Sequence, residues 1–527
     1  MKKRAQIPDA HTYTIIFRGC SQSNHPKQAL GKVMAIYQSM LLDKSPVKAN
    51  IIHINAVLKM CAVAADIDCM LSIVAGLPSE GIQAADHVTF AIVLNALRYH
   101  ALSRLPTPLS PEQLRQKTRA MILQAQQIWR EVIKRWRNGN IWIDEELVCS
   151  MGRILLASQE KTHWDEILSL VEQTMAIPRQ LPCFGPAWHS ENIAQTQIGP
   201  QTTSAGDIPT YYAITNNLLP ENSSSSSIIS HESNNQSLST IPGASAYAKP
   251  GQNTLSLVLD ASFLLSSKET AKKYWNMLTQ EYHVTPDLDN YMAYLRILRV
   301  CRASSDAVHL LGSMPQEKMA AKVFRIAMSS CVRDKNNHHS FSNSGKILDM
   351  MQRSLKTPDV KTMMRYLHLA MCPPSNTHKN PPSSKLLLSD KYLGSQILRA
   401  LDRVYELLLN LKSIIFFKDP ALDKQSDRHE FLVDLEMLVA RLITAHLRLI
   451  KYRMVPSELI PELRMRRGEL SNLKRRLYRY KKSIGASNKE TIKDSAGDEI
   501  NTFEDINSRC PSDLISGKNL MTTKDLN

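Results

Sequence analysis

The feature of this sequence that most constrains its fold is a repeat with a period near 36 residues. Short stretches recur in which an acid, often after a proline, precedes a helical run with an aromatic or apolar residue four positions later. Pro286 and Pro358, which open two of these stretches, are 72 residues apart (358 − 286), or twice 36. Asn55 and Ala91 hold the same place in neighbouring units and are 36 apart. A period of this length with two helices per unit is typical of a solenoid of helical hairpins.

The second half of each unit also has a helical pattern. Residues 27–41 carry apolar side chains at positions 29, 30, 33, 36, 37 and 40, which form one stripe at helical periodicity. The chain has only 18 glycines and 6% aromatic residues, which argues against an all-β sandwich or barrel. We therefore predict an all-α fold: an α-solenoid of helical hairpins in two arrays, followed by a C-terminal helical region.

Composition divides the chain into six segments. We predict repeat arrays at 1–177 and 252–372, linkers at 178–251 and 373–389, a basic helical region at 390–484 and a tail at 485–527. The first linker is rich in serine and asparagine, a composition that cannot bury enough apolar surface to offset its ordering entropy, so we predict that it is disordered, as is the polar tail. A short proline-rich insertion, 105–111, interrupts the first array.

Charge and cysteine content narrow the functional class. Lysine and arginine number 65 against 49 acids, a formal charge of +16, which favours RNA, DNA or an anionic membrane as partner. The nine cysteines include no CxxC pair and most lie in apolar helical runs, so we predict reduced core cysteines. No apolar run reaches the length of a membrane span. The basic start, Met1–Arg4, is too short for a transit peptide, so we expect an upstream segment beyond the chain shown.

The units resemble pentatricopeptide repeats. The resemblance rests on the Pro-Asp junctions, on the helix starts His11-Thr12-Tyr13-Thr14 and Val88-Thr89-Phe90-Ala91, and on the helix ending Ala35-Ile36-Tyr37-Gln38-Ser39-Met40 after Ala29-Leu30. It covers about 8–177 and 252–372, and the Trp-x-x-Leu-Gly motif of tetratricopeptide units is not visible. The serine- and asparagine-rich insertion and degenerate units look like those of fungal mitochondrial members, such as factors for small-subunit ribosomal-RNA maturation or for mRNA stability and translation.

The resemblance implies an RNA-binding surface in which each unit addresses about one base. In that family the fifth residue of a unit and the last residue before the next unit contact the base edge. The fifth-position residues here are Thr14, Asn55, Ala91, Ser256, Met292 and Met364. The last-position residues are Asp9, Asn50, Asp86, Asp287 and Asp359. Asn50 with Asn55 suits a pyrimidine in the family's code, whereas the two methionines depart from that code. The acids precede helices, so they fit an N-cap role as well.

A second candidate site lies in the basic C-terminal segment. Its cations include Arg475, Arg476, Arg479, Lys481 and Lys482, with Tyr478 and Tyr480 between them. Arginine binds phosphate through two parallel hydrogen bonds, and tyrosine can stack on an unpaired base. Four leucines at helical spacing, Leu463, Leu470, Leu473 and Leu477, predict one apolar face on this helix. A solvated helix face, or a docking helix for an acidic protein or a membrane surface, fits the same pattern.

The sequence contains no motif for catalysis or for metal binding. No Walker loop, GxGxxG, GxSxG or HExxH occurs, and His338-His339 has no nearby metal-ligand partner. We therefore predict a protein that is not an enzyme and needs no cofactor or metal. The predicted partner is single-stranded mitochondrial rRNA or mRNA, with the small mitochondrial ribosomal subunit as a further candidate, and the predicted location is the mitochondrial matrix. The alternative is a helical-repeat scaffold on the mitochondrial ribosome that does not bind RNA.

Overall fold

The computed structural model describes residues 8–102, 110–182, 246–373, 383–416 and 425–491, with only the backbone described at 383–390, 412–416, 425–427 and 482–491. Throughout these ranges the regular secondary structure is helical and no strand occurs. The α-helices are α1 Ala10–Cys20, α2 Pro26–Leu41, α3 Ile51–Ala64, α4 Ile67–Ala75, α5 His87–Leu102, α6 Pro111–Arg137, α7 Glu145–Leu156, α8 Lys161–Met175, α9 Gln252–Leu264, α10 Lys268–Asn276, α11 Leu288–Val300, α12 Ser304–Ser313, α13 Ala321–Arg333, α14 Ser340–Ser354, α15 Val360–Ala370, α16 Ser383–Phe416, α17 Gln425–Lys451 and α18 Ile460–Thr491. A π-helical turn, Met277–Glu281, extends α10.

The helices form hairpins, as the repeat predicts. We call the odd-numbered helices, α1 to α17, A helices, and the even-numbered helices, α2 to α18, B helices. Most A helices pack against the B helix that follows, and α9, α11, α13 and α15 each contact the next A helix in this series. B helices α12 and α14 also contact each other. The prediction of an all-α fold of helical hairpins is confirmed.

The described chain divides into two compact units. Unit 1 comprises Met1–Val93, Gln124–Ile143 and Pro182–Tyr247. Unit 2 comprises Leu94–Leu123, Asp144–Leu181 and Ala248–Asn527. Each unit has its own buried apolar side chains, including Phe17 and Trp129 in unit 1 and Tyr274 and Phe324 in unit 2.

Acidic and amide side chains at the junctions begin the A helices. The Asp9, Asp287 and Asp359 carboxylates accept hydrogen bonds from the backbone N–H three residues on. Asp86 does the same for Thr89 N, at 2.8 Å. Each cap of this kind stabilises its helix by about 0.5–2 kcal/mol. The N-cap role, one of two read from the sequence, is thus confirmed for these acids.

Buried cysteines lie in the cores of the hairpins. Cys61, Cys149 and Cys331 are free thiols and are fully buried. Burial raises the pKa of each to about 12, so they are protonated at neutral pH. The prediction of reduced core cysteines is confirmed for these three.

The C-terminal helices continue the hairpin packing of unit 2 even though their sequence departs from the repeat. A helix α15 contacts α17 just as α13 contacts α15, and α17 packs along α18. Arg466 on α18 donates to Asp402 on α16 at 2.6 Å, which joins two B helices. The basic helix α18 therefore belongs to the B layer of unit 2. Helix α16 begins at Ser383, inside the predicted linker 373–389, and α18 runs to Thr491, past the predicted boundary at 484.

Both ends of the predicted linker 178–251 are packed. Arg179 forms an ion pair with Asp165 at 2.6 Å, and both side chains are only 7% exposed. At the other end, Ala248 N donates to Thr174 O at 2.9 Å. Residues 183–245, most of the proline-rich insertion, residues 374–382 and the tail from 492 lie outside the described residues.

In the part of the chain that the structure describes, no helix is long and apolar enough to cross a membrane.

Candidate nucleic-acid interface

Asn55, the fifth residue of α3, lies in a polar cluster with the start of α5 in unit 1. Its Nδ2 donates to Asp86 Oδ1 at 3.2 Å, and its Oδ1 lies 2.8 Å from Thr89 Oγ1. The Thr89 hydroxyl is also 2.7 Å from Asp86 Oδ1, so its single proton serves one of the two oxygens. These bonds fix the Asn55 amide and leave its second N–H without a protein acceptor among the residues that the structure describes.

A cavity of about 220 Å³ opens beside this cluster. It is lined by Arg18, Ser21, Ile52, Asn55, Ala56, Lys59, Asp86 and Val88. Ile52 and Val88 are the second residues of α3 and α5, and they are 56% and 37% exposed. The lining thus combines apolar surface for the faces of a ring, an amide for its polar edge, and two cations. A flat heterocycle that carries a phosphate has matching chemistry.

The structure separates Asn50 from this cavity. Asn50 caps α3: its Oδ1 accepts from His53 N at 3.1 Å, and its backbone N donates to His53 Nδ1 at 3.2 Å. The pair Asn50 and Asn55 read from the sequence is therefore not a pair in space. Asn55 instead contacts Asp86, the junction residue at the far end of its own unit, because the start of the next A helix lies beside the first turns of α3.

The other predicted fifth-position residues of the A helices offer less to a ligand. The Thr14 hydroxyl donates to Ala10 O at 3.2 Å and is buried. Ser256 accepts from Asn290 Nδ2 at 2.8 Å. Ala91, Met292 and Met364 are buried and carry no hydrogen-bonding group that could read a base edge.

Two fifth-position residues were not predicted from the sequence. Arg325 on α13 binds Asp359 through two hydrogen bonds, Nη2 to Oδ1 at 2.5 Å and Nε to Oδ2 at 3.0 Å. Its unit lacks an acid at the junction, because α13 begins after Ala320, so the repeat pattern gave no signal there. Cys149 on α7 is the second; its helix is capped by Asp144, which the pattern could have revealed.

Trp142, which the sequence did not predict as a site residue, presents an exposed aromatic ring. It is 65% exposed, and its ring lies 4.7 Å from that of His87, the first residue of α5. A large exposed aromatic of this kind provides a surface on which an unpaired base can stack.

Partly buried charges lie on the A helices of unit 2. Asp260 is the ninth residue of α9, and burial raises its pKa to about 6, against the opposing charges of Arg296 and Arg153. Those two arginines are the ninth residues of α11 and α7. An alternation of cation, acid and cation thus runs across three successive A helices.

The C-terminal basic residues differ in exposure and in their partners. Leu463, Leu470, Leu473 and Leu477 are buried, so the predicted apolar face of α18 is confirmed. Arg475, Arg476 and Arg479 are exposed on the opposite side.

Lys481 pairs with Glu436 on α17, and the Tyr480 hydroxyl accepts from Arg428 at 2.7 Å. Lys482 lies in α18, but its side chain is outside the described residues. Arg475, Arg476 and Arg479 are therefore the most accessible cations of this segment among those whose side chains the structure describes.

Within the described residues, no group of three or more His, Cys, Asp and Glu side chains is placed to hold a metal ion. His338 and His339 lie side by side with ring centroids 3.9 Å apart.

The fold and these contacts define a helical-hairpin repeat protein. No family model and no curated protein matches the chain. Among solved structures, the chain is similar to the pentatricopeptide repeat protein PPR10 in complex with an 18-nt psaJ RNA element, with 12% identity, 87% of this chain and 53% of that chain covered, and a TM-score of 0.36. It is also similar to PPR10 from maize, with 13% identity, 92% and 76% covered, and a TM-score of 0.22. The chain thus spans about half the length of the RNA-bound chain that it matches.

Proposed function

We propose that this protein is a non-enzymatic binder of single-stranded RNA of the pentatricopeptide type. The observation that carries the proposal is the Asn55 cavity, where an anchored amide, apolar walls and two cations converge. Single-stranded RNA is recognised by splayed bases whose edges meet polar side chains and whose faces meet apolar or aromatic ones.

The Asn55 amide selects the base. With one Nδ2 hydrogen held by Asp86, the second hydrogen donates to a carbonyl oxygen on the base edge. Uracil, cytosine and guanine carry such an oxygen and adenine does not, so this contact disfavours adenine. The choice of a pyrimidine among the three rests on the resemblance to the family's code. Ile52 and Val88 contact the two faces of the ring, and Arg18 and Lys59 balance the adjoining phosphates.

The exposed arginines of α18 provide a second contact to RNA in this proposal. They lie on α18, a B helix, whereas the fifth-position residues of unit 2 lie on A helices. Contacts from Arg475, Arg476 and Arg479 are therefore to phosphate and are independent of sequence.

The cellular role that we propose is in mitochondrial RNA metabolism, in the matrix. Candidate tasks are 5'-end processing of ribosomal RNA with maturation of the small subunit, or mRNA stability and translation. The support is the net charge of +16, the repeat resemblance and the serine- and asparagine-rich insertion.

Crosslinking the tagged protein to RNA in cells, followed by sequencing, tests this function. We expect an enriched set of transcripts with a shared single-stranded element. We expect Asn55→Ala to change which sequences are enriched, and Arg475→Glu with Arg476→Glu to lower recovery of all sequences alike. Recovery of no enriched transcript would show that the proposal is wrong and would favour a protein scaffold. Equal effects of both changes would contradict the separation of base and phosphate contacts.

A further inference from the structure

Three arginines lie on three consecutive A helices of unit 2. They are Arg299 on α11, Arg333 at the end of α13 and Arg365 on α15. Arg299 Nε is buried and has no hydrogen-bond partner. None of the three forms an ion pair with a carboxylate in the described ranges of the chain, and Arg365 bonds only to Lys361 O, at 3.4 Å.

The acids that could balance these arginines are already engaged. Asp359 is bound by Arg325 through two hydrogen bonds. On α17, Glu430 and Asp434 lie 2.6 and 3.3 Å from Lys361 Nζ. Asp359 therefore only partly offsets the charge of Arg365, and the cluster keeps an excess of positive charge.

The neighbouring cations act on Arg299. Its pKa is lowered, first by burial and then by the charges of Arg333, Arg296 and Arg365. Like charges held together in a partly buried place cost free energy, which an anion would recover. A guanidinium offers a planar pair of N–H donors that matches two phosphate oxygens.

The origin of the three cations indicates which anion fits. They come from three successive A helices, and packed helices are about 8–10 Å apart, so successive anionic groups of one chain can each meet a different guanidinium. A run of phosphodiesters provides anionic groups in such a series.

The fifth-position residues beside the row support the same conclusion. Met292 and Met364 cannot hydrogen-bond strongly, and Arg325 is committed to Asp359. These three units thus have cations for phosphate but no free group for a base edge.

We propose that Arg299, Arg333 and Arg365 form an anchor for the phosphodiester backbone of single-stranded RNA, one that binds without reading sequence. This anchor rests on the proposed RNA-binding function and adds a division of labour to it. The Asn55 cavity in unit 1 reads a base, and the arginine row in unit 2 supplies affinity that depends on salt.

The test compares the Arg299→Gln, Arg333→Gln double variant with a matched control, Lys346→Gln with Arg353→Gln. Each variant replaces two cations with glutamine, so the change in net charge is the same. Both control residues are exposed on α14, which is a B helix of unit 2. The probes are fluorescein-labelled single-stranded RNAs, one that carries the sequence recovered by crosslinking and one of scrambled order. Anisotropy gives the dissociation constant at several salt concentrations.

We expect the double variant to bind both RNAs about tenfold or more weaker, since hydrogen bonds to charged groups are lost. The slope of log K against log salt should become shallower by about 1.4, or about 0.7 for each lost phosphate contact on a single strand. The control variant should keep the native slope. The double variant should also unfold at the same or a higher temperature than the native protein, because repulsion has been removed.

An unchanged slope in the double variant, or an equal change in the control, would overturn the anchor. If the native protein bound neither RNA, both the anchor and the RNA-binding function would be wrong. If the native protein bound RNA with a sequence preference that Asn55→Ala abolishes, while the arginine variant matched its control, only the anchor would fail.

Discussion

Replacing Asn55 with alanine is the sharpest test of the proposed recognition of RNA. The change removes the amide from the floor of the cavity while keeping Cβ and the helix. Asn50→Ala is its matched control, because both asparagines fit the repeat pattern but only Asn55 lines the cavity.

The expected magnitudes follow from the contacts that each variant loses. A single neutral hydrogen bond to a base edge contributes about 0.5–1.5 kcal/mol of discrimination, which is about 2- to 13-fold in affinity. Asp86 and Thr89 keep each other as partners, so the loss in folding stability of Asn55→Ala is about 1 kcal/mol. Asn50→Ala loses a helix cap, also about 1 kcal/mol.

Two measurements separate these effects. Denaturation in urea gives the free energy of unfolding of both variants, which should fall by similar amounts. Fluorescence anisotropy with RNAs that differ at one position gives the base preference, which only Asn55→Ala should lose. Because the two variants are matched in stability, a difference in base preference reports the contact itself.

The reasoning would be refuted by either of two results. One is a loss of base preference in Asn50→Ala as large as that in Asn55→Ala. The other is a uniform loss of affinity for all sequences in Asn55→Ala, which would mean that the amide only supports the fold.

Three further predictions concern stability, measured by urea denaturation. Asp359→Ala should lower the free energy of unfolding by about 2 kcal/mol, since it removes a cap and leaves Arg325 unpaired, whereas the exposed cap Asp9 should cost about half as much on the same change. Arg179→Ala should cost about 3–5 kcal/mol because it leaves the buried Asp165 carboxylate without its partner, and a loss below 1 kcal/mol would contradict this role. The pKa of Asp260 is about 6 in the folded state and 3.8 in the unfolded state. The part of the free energy of unfolding that depends on this group is therefore fully present below pH 3.8 and is lost as the pH rises through 6. Asp260→Asn should therefore stabilise the protein by about 1–3 kcal/mol at pH 8 and have no effect near pH 3.5, and an effect independent of pH would rule out this cause.

Much of the fold follows from local patterns in the sequence. The 36-residue period, the acids before helices and the apolar stripes together predicted helical hairpins, because capping and amphipathic periodicity act within a few turns of one helix. The leucine face of α18 was predicted for the same reason. Asn55 was identified as a candidate from its position in the repeat.

The partners of these residues were decided by the packing of A helices against each other. The sequence paired Asn55 with Asn50, five residues away, whereas the folded chain places Asn55 against Asp86, 31 positions further on. The unit that holds Arg325 has no acid at its junction, so no local pattern identified this residue. The Arg325 side chain nevertheless occupies the fifth position, which the family's code assigns to base reading, and it binds Asp359. The arginine row is likewise invisible in sequence, because its members lie at different places in three units and become neighbours only when the helices stack. Local capping and periodicity therefore determined the helices, while contacts between distant turns determined which side chains remain available to a ligand.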